Sequence, residues 1–341
     1  AGTPSVIKDS GLYKMWYSVL GESGKLEIRH ATSTNGVNWT AIGTALTGTA
    51  ASWDSDSVGS PSVYLDEGVF RLWYTGVGSD ARPAIGYATS TDGLNWAKHP
   101  RNPVLTGALG TFEDTGVLHP SVLWDASQAL WKMWYSGRAE GGQSVGTLKI
   151  GYATSPDGIM WTKHATNPVM VAGPQGSWDS RGVGIATVRK TGTEQFVIYY
   201  TGYSGVAGSL IAKIGSATST DGISWGSRQL RWDVGPTGSW DGRSVGAPFV
   251  LMDGEKAMMW DSGVGPLLNV GIGLAINYTT IRAALVDASA AGDTMAGDTI
   301  LVHPGTDKYQ LVVDKQVVIR STDGPAQTIF DADRQTTTSA G

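Results

Sequence analysis

The chain of 341 residues contains no cysteine. That excludes disulfides and thiol catalysis, and suits an extracytoplasmic bacterial protein or a heat-tolerant one. Charge is also scarce: 16% of residues are charged, the formal net charge is −5, and no basic run occurs. A nucleic-acid partner is therefore not expected. No stretch of eighteen apolar residues exists, so the sequence offers no membrane-spanning helix. No signal peptide is visible, and the chain opens at Ala1 inside a repeat, which reads as a processed or trimmed start of a secreted, extracellular or periplasmic protein. What is abundant is glycine and aromatic surface, with 47 Gly, 14 Trp and 12 Tyr. That is the make-up of a large, turn-rich all-β protein.

Three phrases recur. YKMWYS from Tyr13 returns as FRLWYTG from Phe70, WKMWYSG from Trp131, FVIYYTG from Phe196 and AMMWDSG from Ala257. The markers Trp16, Trp73, Trp134, Tyr199 and Trp260 are spaced by 57, 61, 65 and 61 residues. A phrase of the form ATSTDGLNW follows the first four copies, and a phrase of the form SWDSDSVGSPSV precedes the last four. A fixed period with about four short strand signals per unit predicts the blades of a β-propeller, five in number. In the second unit the strands are expected at Val58–Leu65, Val69–Thr75 and Ala84–Ser90, with LNWAKH as a short outer strand. Asp-Gly turns supply the positive φ between the third and fourth strands. Trp39, Trp96, Trp161 and Trp225, at the end of that turn, are expected to pack between neighbouring blades.

The loops that join one blade to the next align on one acid: Asp54, Glu113, Asp179 and Asp241. Two places later stand Asp56, Thr115, Arg181 and Arg243. At the sixth place stand Ser60, His119, Ile185 and Ala247, with Thr3 as the first unit's equivalent. Carboxylates converging on a cleft are what glycosidic cleavage requires, one as proton donor and one as base or nucleophile. On that reading Glu113 is the donor, Asp54 the base or nucleophile, and Asp179 an aid to position or charge. An acid repeated in each blade can equally hydrogen-bond backbone at the junction, and for Asp179 and Asp241 that is the leading alternative. Glu113, Asp114 and His119 break the internal consensus, as do Asp56 and Asp261, which mark candidate substrate contacts. Trp53, Trp178 and Trp240 could stack on sugar rings. Arg181 and Arg243 offer donors to hydroxyls or a carboxylate, with an ion pair to the loop's own Asp as the alternative. His119 reads first as a hydrogen-bonded structural residue, although a channel cation such as calcium could recruit it. No cofactor is required.

The repeats end near Thr280, giving a propeller over 1–280, a further segment over 281–330 and a disordered tail over 331–341. A short helix is expected at Ile281–Ala288 and strands at Thr299–His303 and within YQLVVDKQVVIRS. With GDTI and PGT, this stretch resembles the opening coil of pectin-lyase-like parallel β-helices. One coil cannot bury its own face, so it either docks on the propeller, covering the open edge of the fifth blade, or belongs to a longer parent chain.

The repeated PSVxxxxGxYKMWYSG and IGYATSxDGxxWxKHxxNPVL resemble the five-bladed propeller superfamily of glycoside hydrolases, which includes the arabinanase and β-xylosidase family 43 and the fructan-cleaving family 32. The resemblance spans Gly2 to Thr280. It implies action on a pentose- or fructose-containing polysaccharide, as an arabinofuranosidase, arabinanase or xylosidase would act. In family 43 the base is an Asp just before the proline that opens the first inner strand. Here that place is Thr3, and the next blades carry Ser60 and His119. Two readings stand: a hydrolase whose acids have moved to the Trp-Asp loops, and a non-catalytic glycan-binding or adhesion propeller of a larger extracellular or phage-borne protein.

Overall fold

The structure is a computed structural model that describes residues 1–139, 148–191, 195–206, 209–254, 256–266, 270–278, 299–302 and 318–321. The described residues hold strands and no helix. The first blade is β1 (Gly2–Asp9), β2 (Leu12–Leu20), β3 (Leu26–Ser33) and β4 (Thr40–Leu46). The second is β5 (Ser57–Asp66), β6 (Val69–Val77), β7 (Ala84–Ser90) and β8 (Ala97–Lys98). The third is β9 (Gly116–Asp125), β10 (Leu130–Arg138), β11 (Lys149–Ser155) and β12 (Thr162–Lys163). The fourth is β13 (Gly182–Thr191), β14 (Gln195–Val206), β15 (Ser209–Ser219) and β16 (Gln229–Trp232). Each of these sheets is a four-strand antiparallel meander in chain order. The fifth sheet begins with β17 (Ser244–Asp253), β18 (Lys256–Val264) and β19 (Val270–Tyr278). The protein is a five-bladed β-propeller, as the repeat predicts.

The blades are stitched by the recurring residues. Trp16 of β2 donates its indole N–H to the Gly93 carbonyl in the second blade at 2.7 Å. Trp73 does the same to Gly158 at 2.8 Å, Trp134 to Gly222 at 2.7 Å and Trp260 to Gly36 at 3.1 Å. These glycines have φ near +77°, and a Cβ at Gly93, Gly158 or Gly222 would lie 2.7–2.8 Å from the incoming indole. Only glycine therefore lets the neighbour's tryptophan reach the turn. Trp39, Trp96, Trp161 and Trp225 meet those same indoles edge-on, between blades as expected. The fourth blade carries Tyr199 in place of the tryptophan, and the fifth has no DGxxW phrase for it to reach.

A ring of smaller bonds lies nearer the axis. Thr3, Ser60, His119, Ile185 and Ala247 all have positive φ, between 45° and 54°. In the first four blades the ladder shifts register at this place, which marks a β-bulge that re-aims one residue. The freed N–H is caught by a hydroxyl of the preceding blade: Ser60 by Ser18, His119 by Thr75, Ile185 by Ser136, Ala247 by Thr201 and Thr3 by Ser262, at 2.8–3.0 Å. The last of these closes the fifth blade on the first, helped by the Ala1 ammonium donating to the Val270 carbonyl at 3.1 Å.

A second compact unit comprises Met252–Met258 and Ala275–Gly341. Within it β20 (Thr299–Val302) runs parallel to the end of β19, with Asn277 opposite Leu301, and β21 (Val318–Ser321) runs parallel to β20. The helix expected at 281–288 and the tail over 331–341 lie outside the described residues.

Candidate functional site at the channel mouth

The loops entering each inner strand fold against the loops between second and third strands. Asp56 donates its N–H to the Val77 carbonyl, Arg181 to Tyr203 and Arg243 to Val264, at 2.8–2.9 Å. Lys25 approaches Asp56 at 3.5 Å, and Arg82 donates to the Asp114 carbonyl. The Trp-Asp loops and the Gly-rich loops therefore share one face. The cavity at its centre is lined by the bulged ring, Thr3, Ser60, His119, Ile185 and Ala247, and the residues that follow them. Its volume is about 40 Å³, against roughly 300–1,000 Å³ for small-molecule sites.

His119 is the one titratable side chain of that ring. Its Nδ1 is buried without a partner, and its pKa is lowered to about 4 by burial first and then by the Arg138 charge. It is a neutral imidazole at physiological pH. Arg138 itself donates to Thr115 Oγ1 at 3.3 Å and to the Ala81 carbonyl at 3.1 Å. Among the described residues no cluster of three or more His, Asp or Glu could hold a metal.

The four loop acids do not line the mouth as a set. Asp54 is fully buried, takes the Tyr74 hydroxyl at 3.1 Å and pairs with Lys98 at 2.6 Å. Glu113 is 2% exposed and pairs with Lys163 through Oε1, while its Oε2 is buried without a hydrogen-bond partner and its charge acts on the nearby Tyr135 phenol. Asp179 is 1% exposed and accepts from Ser177, Tyr200 and Arg228 at 2.7–3.0 Å. Burial, and then the acid beside it, raises the pKa of each of these tyrosines, so the phenols stay protonated and donating. Each trio sums to zero net charge and fastens the entering loop to the second and fourth strands of its own blade. The cation of Asp179 is Arg228, so the ion pair considered for Arg181 is not formed; Arg181 and Arg243 are exposed.

Trp53 and Trp178 are half-buried and Trp240 is 46% exposed. Each sits on a glycine platform of its blade: a Cβ at Gly76 or Gly86 would lie 2.4–2.8 Å from Trp53, and one at Gly202 or Gly215 about 2.0–2.1 Å from Trp178. Phe112 takes this seat over Gly137 in the third blade. One ring face is thus committed to packing.

The fifth blade departs. Asp241 keeps the loop geometry of Asp179, with Ser239 Oγ donating to it at 2.6 Å. Where the other blades have tyrosine stands Asp261, 3% exposed, its Oδ2 without a partner. Burial, and next the Asp241 charge, pushes the Asp261 pKa up to about 7. The partners Lys98, Lys163 and Arg228 were not singled out from sequence. Their signal was available, since a lysine follows the turn tryptophan in the second and third units, WAKH and WTKH, where a loop acid also stands.

Residues 4–166 match the family model described as the glycosyl hydrolases family 32 N-terminal domain. An uncharacterized protein of Mycobacterium tuberculosis is 32% identical over 149 residues, 42% of this chain and 48% of the relative. The beta-fructofuranosidase, insoluble isoenzyme 6, of Oryza sativa subsp. japonica is 29% identical over 167 residues, 46% of this chain and 27% of that protein. The matched region thus spans about half the length of the first and about a quarter of the second. A thermostable family-43 glycoside hydrolase of known structure superposes with a TM-score of 0.63 at 16% identity, covering 82% of this chain and 90% of that one.

Proposed function

We propose, from the premise that this chain has a glycoside hydrolase family 32/43-like propeller fold, that it recognises a pentose- or fructose-containing glycan across the channel mouth without cleaving it. One observation carries this reading. The ring at the axis, Thr3, Ser60, His119, Ile185 and Ala247, contains no carboxylate, and three of the four repeated acids, Asp54, Glu113 and Asp179, are buried and paired with a cation. A general acid has to reach the leaving oxygen at hydrogen-bond distance. Glu113, enclosed by Lys163 and Tyr135, offers no such approach in this arrangement. The side chains exposed at this mouth are Arg181, Arg243, Asp56 and the rim of Trp240, with His119 half-buried in the ring.

The competing reading keeps Glu113 as proton donor, Asp54 as base or nucleophile and Asp179 as their aid. One panel separates the two: arabinan, arabinoxylan, xylan, levan and pectin, each assayed for binding by calorimetry and for release of reducing ends. Binding without release supports recognition. Release that falls by roughly 10²-fold or more in Glu113→Gln supports hydrolysis instead. Arg181→Ala and Arg243→Ala should each weaken binding roughly tenfold. A glycan bound on the opposite face, near the turns at Asp92–Gly93 and Asp157–Gly158, contradicts the placement.

A further inference from the structure

We infer that the glycan recognised at this mouth carries carboxylates, as a uronic-acid-bearing polysaccharide does, and that Arg181 and Arg243 receive them; the inference rests on the recognition reading above. The two arginines hold the same place in adjacent blades, two residues after the loop acid. Both are exposed, and neither forms an ion pair among the described residues. Asp179 is paired with Arg228 at 3.0 Å instead, and Asp241 takes the Ser239 hydroxyl at 2.6 Å. The same place in the second blade holds Asp56, which Lys25 approaches at 3.5 Å, and in the third the uncharged Thr115. In a chain of net charge −5, the fourth and fifth entering loops thus present two uncompensated positive charges.

A chain of backbone contacts links the two positions. The Arg181 N–H donates to the Tyr203 carbonyl at 2.8 Å, and Tyr203 faces Ala212 across the β14–β15 ladder. The Ala212 N–H donates to Ser244 Oγ at 3.1 Å, next to Arg243. The arginines therefore stand on the two sides of one hairpin, separated by roughly 15 Å at ordinary strand spacing. The hairpin adds Val206, 68% exposed, and Ile211, 39% exposed, while Trp240 stands three residues before Arg243. An oligosaccharide spans that gap, with apolar ring faces against the ridge and a charged group at each side. A guanidinium is planar and always charged, and its paired N–H donors match the two oxygens of a carboxylate, which a neutral hydroxyl cannot do.

The test is calorimetric titration of the full chain at pH 7 with glucuronoxylan, and with the same polymer after its uronic acids have been reduced to neutral sugars. The backbone is common to both, so the ratio of affinities reads the carboxylates alone. The expected ratio is roughly tenfold or more in favour of the native polymer. It should shrink as sodium chloride is raised and fall towards one in Arg181→Ala and in Arg243→Ala. Equal affinities in the wild type, or none for either form while another polysaccharide of the panel binds, overturn the inference and leave glycan recognition standing. A ratio that neither variant lowers also overturns it. Dextran sulfate bound as tightly as glucuronoxylan reveals a preference for any anion and overturns the assignment to carboxylate. A chain that binds neither form nor any polysaccharide of the panel fails the recognition reading itself, and the inference with it.

Discussion

The junction between the third and fourth blades and the seam between the fifth and first are built to different specifications. At the former, Trp134 reaches Gly222, Ser136 catches the Ile185 N–H, and Asp179 is locked by Tyr200 and Arg228. At the latter, Trp260 still reaches Gly36 and Ser262 still catches Thr3, but the acid has a carboxylate for a neighbour. A cleft of about 350 Å³ lined by Met15, Trp39, Trp260 and Leu274 also opens there. The hydroxyl bonds of the bulged ring occur at all five junctions, whereas the tryptophan bond is made at four, Tyr199 standing in place of the indole in the fourth blade. The side-chain clamp survives only where three residues are kept together, so its loss is visible as a set.

The largest contrast should come from the interblade tryptophans. Trp134→Ala removes a fully buried indole and its bond, and should cost about 3–5 kcal/mol in chemical denaturation. Tyr199→Ala, at the place where the repeat has no turn to reach, should cost clearly less, and equal losses would break the comparison. Acid comes next. His30 is buried, stacked on Trp16 with centroids 4.9 Å apart, and has both nitrogens unpartnered. Burial first, and then the Lys14 charge, lowers its pKa to about 4. The unfolded chain therefore takes up a proton near pH 6.5 that the native chain refuses until about pH 4. Stability should be complete above about pH 6.5 and fall by up to about 3 kcal/mol as pH drops to 4. His30→Tyr, the residue found at Tyr87 and Tyr152, should flatten that slope; an unchanged slope would assign it to other groups. Lys163→Met leaves Glu113 buried without its cation and should cost about 2–3 kcal/mol. The smallest effect is that of Ser136→Ala, about 1 kcal/mol for one ring bond, matched by Ser262→Ala if the two seams share this element equally.

The blades were legible because each is announced by its own period, by Asp-Gly turns and by tryptophans whose seats require glycine. Ala84–Ser90 is the expected third strand residue for residue, and Ala97–Lys98 is the short outer strand at LNWAKH. The bulge was not legible. Thr3, Ser60, His119, Ile185 and Ala247 share a backbone conformation that their side chains give no hint of, and Ile185 is a β-branched residue at φ 45°. The acid column was legible as a column but not as a clamp, because its phenol and its cation lie twenty to fifty residues farther along the chain, as with Tyr74 and Lys98 for Asp54. The exchange of tyrosine for Asp261 stood in the sequence, while its burial beside Asp241 needed the fold.

The central claim is that the loop acids fasten each entering loop to its own blade and do not cut glycan. Glu113→Gln tests it in a single sample, read by its unfolding free energy and by binding and reducing-end release on the polysaccharide that the wild type binds. The account predicts a chain less stable by about 2 kcal/mol whose glycan binding is unchanged. A chain of unchanged stability that has lost a wild-type hydrolytic activity by roughly 10²-fold or more would contradict it.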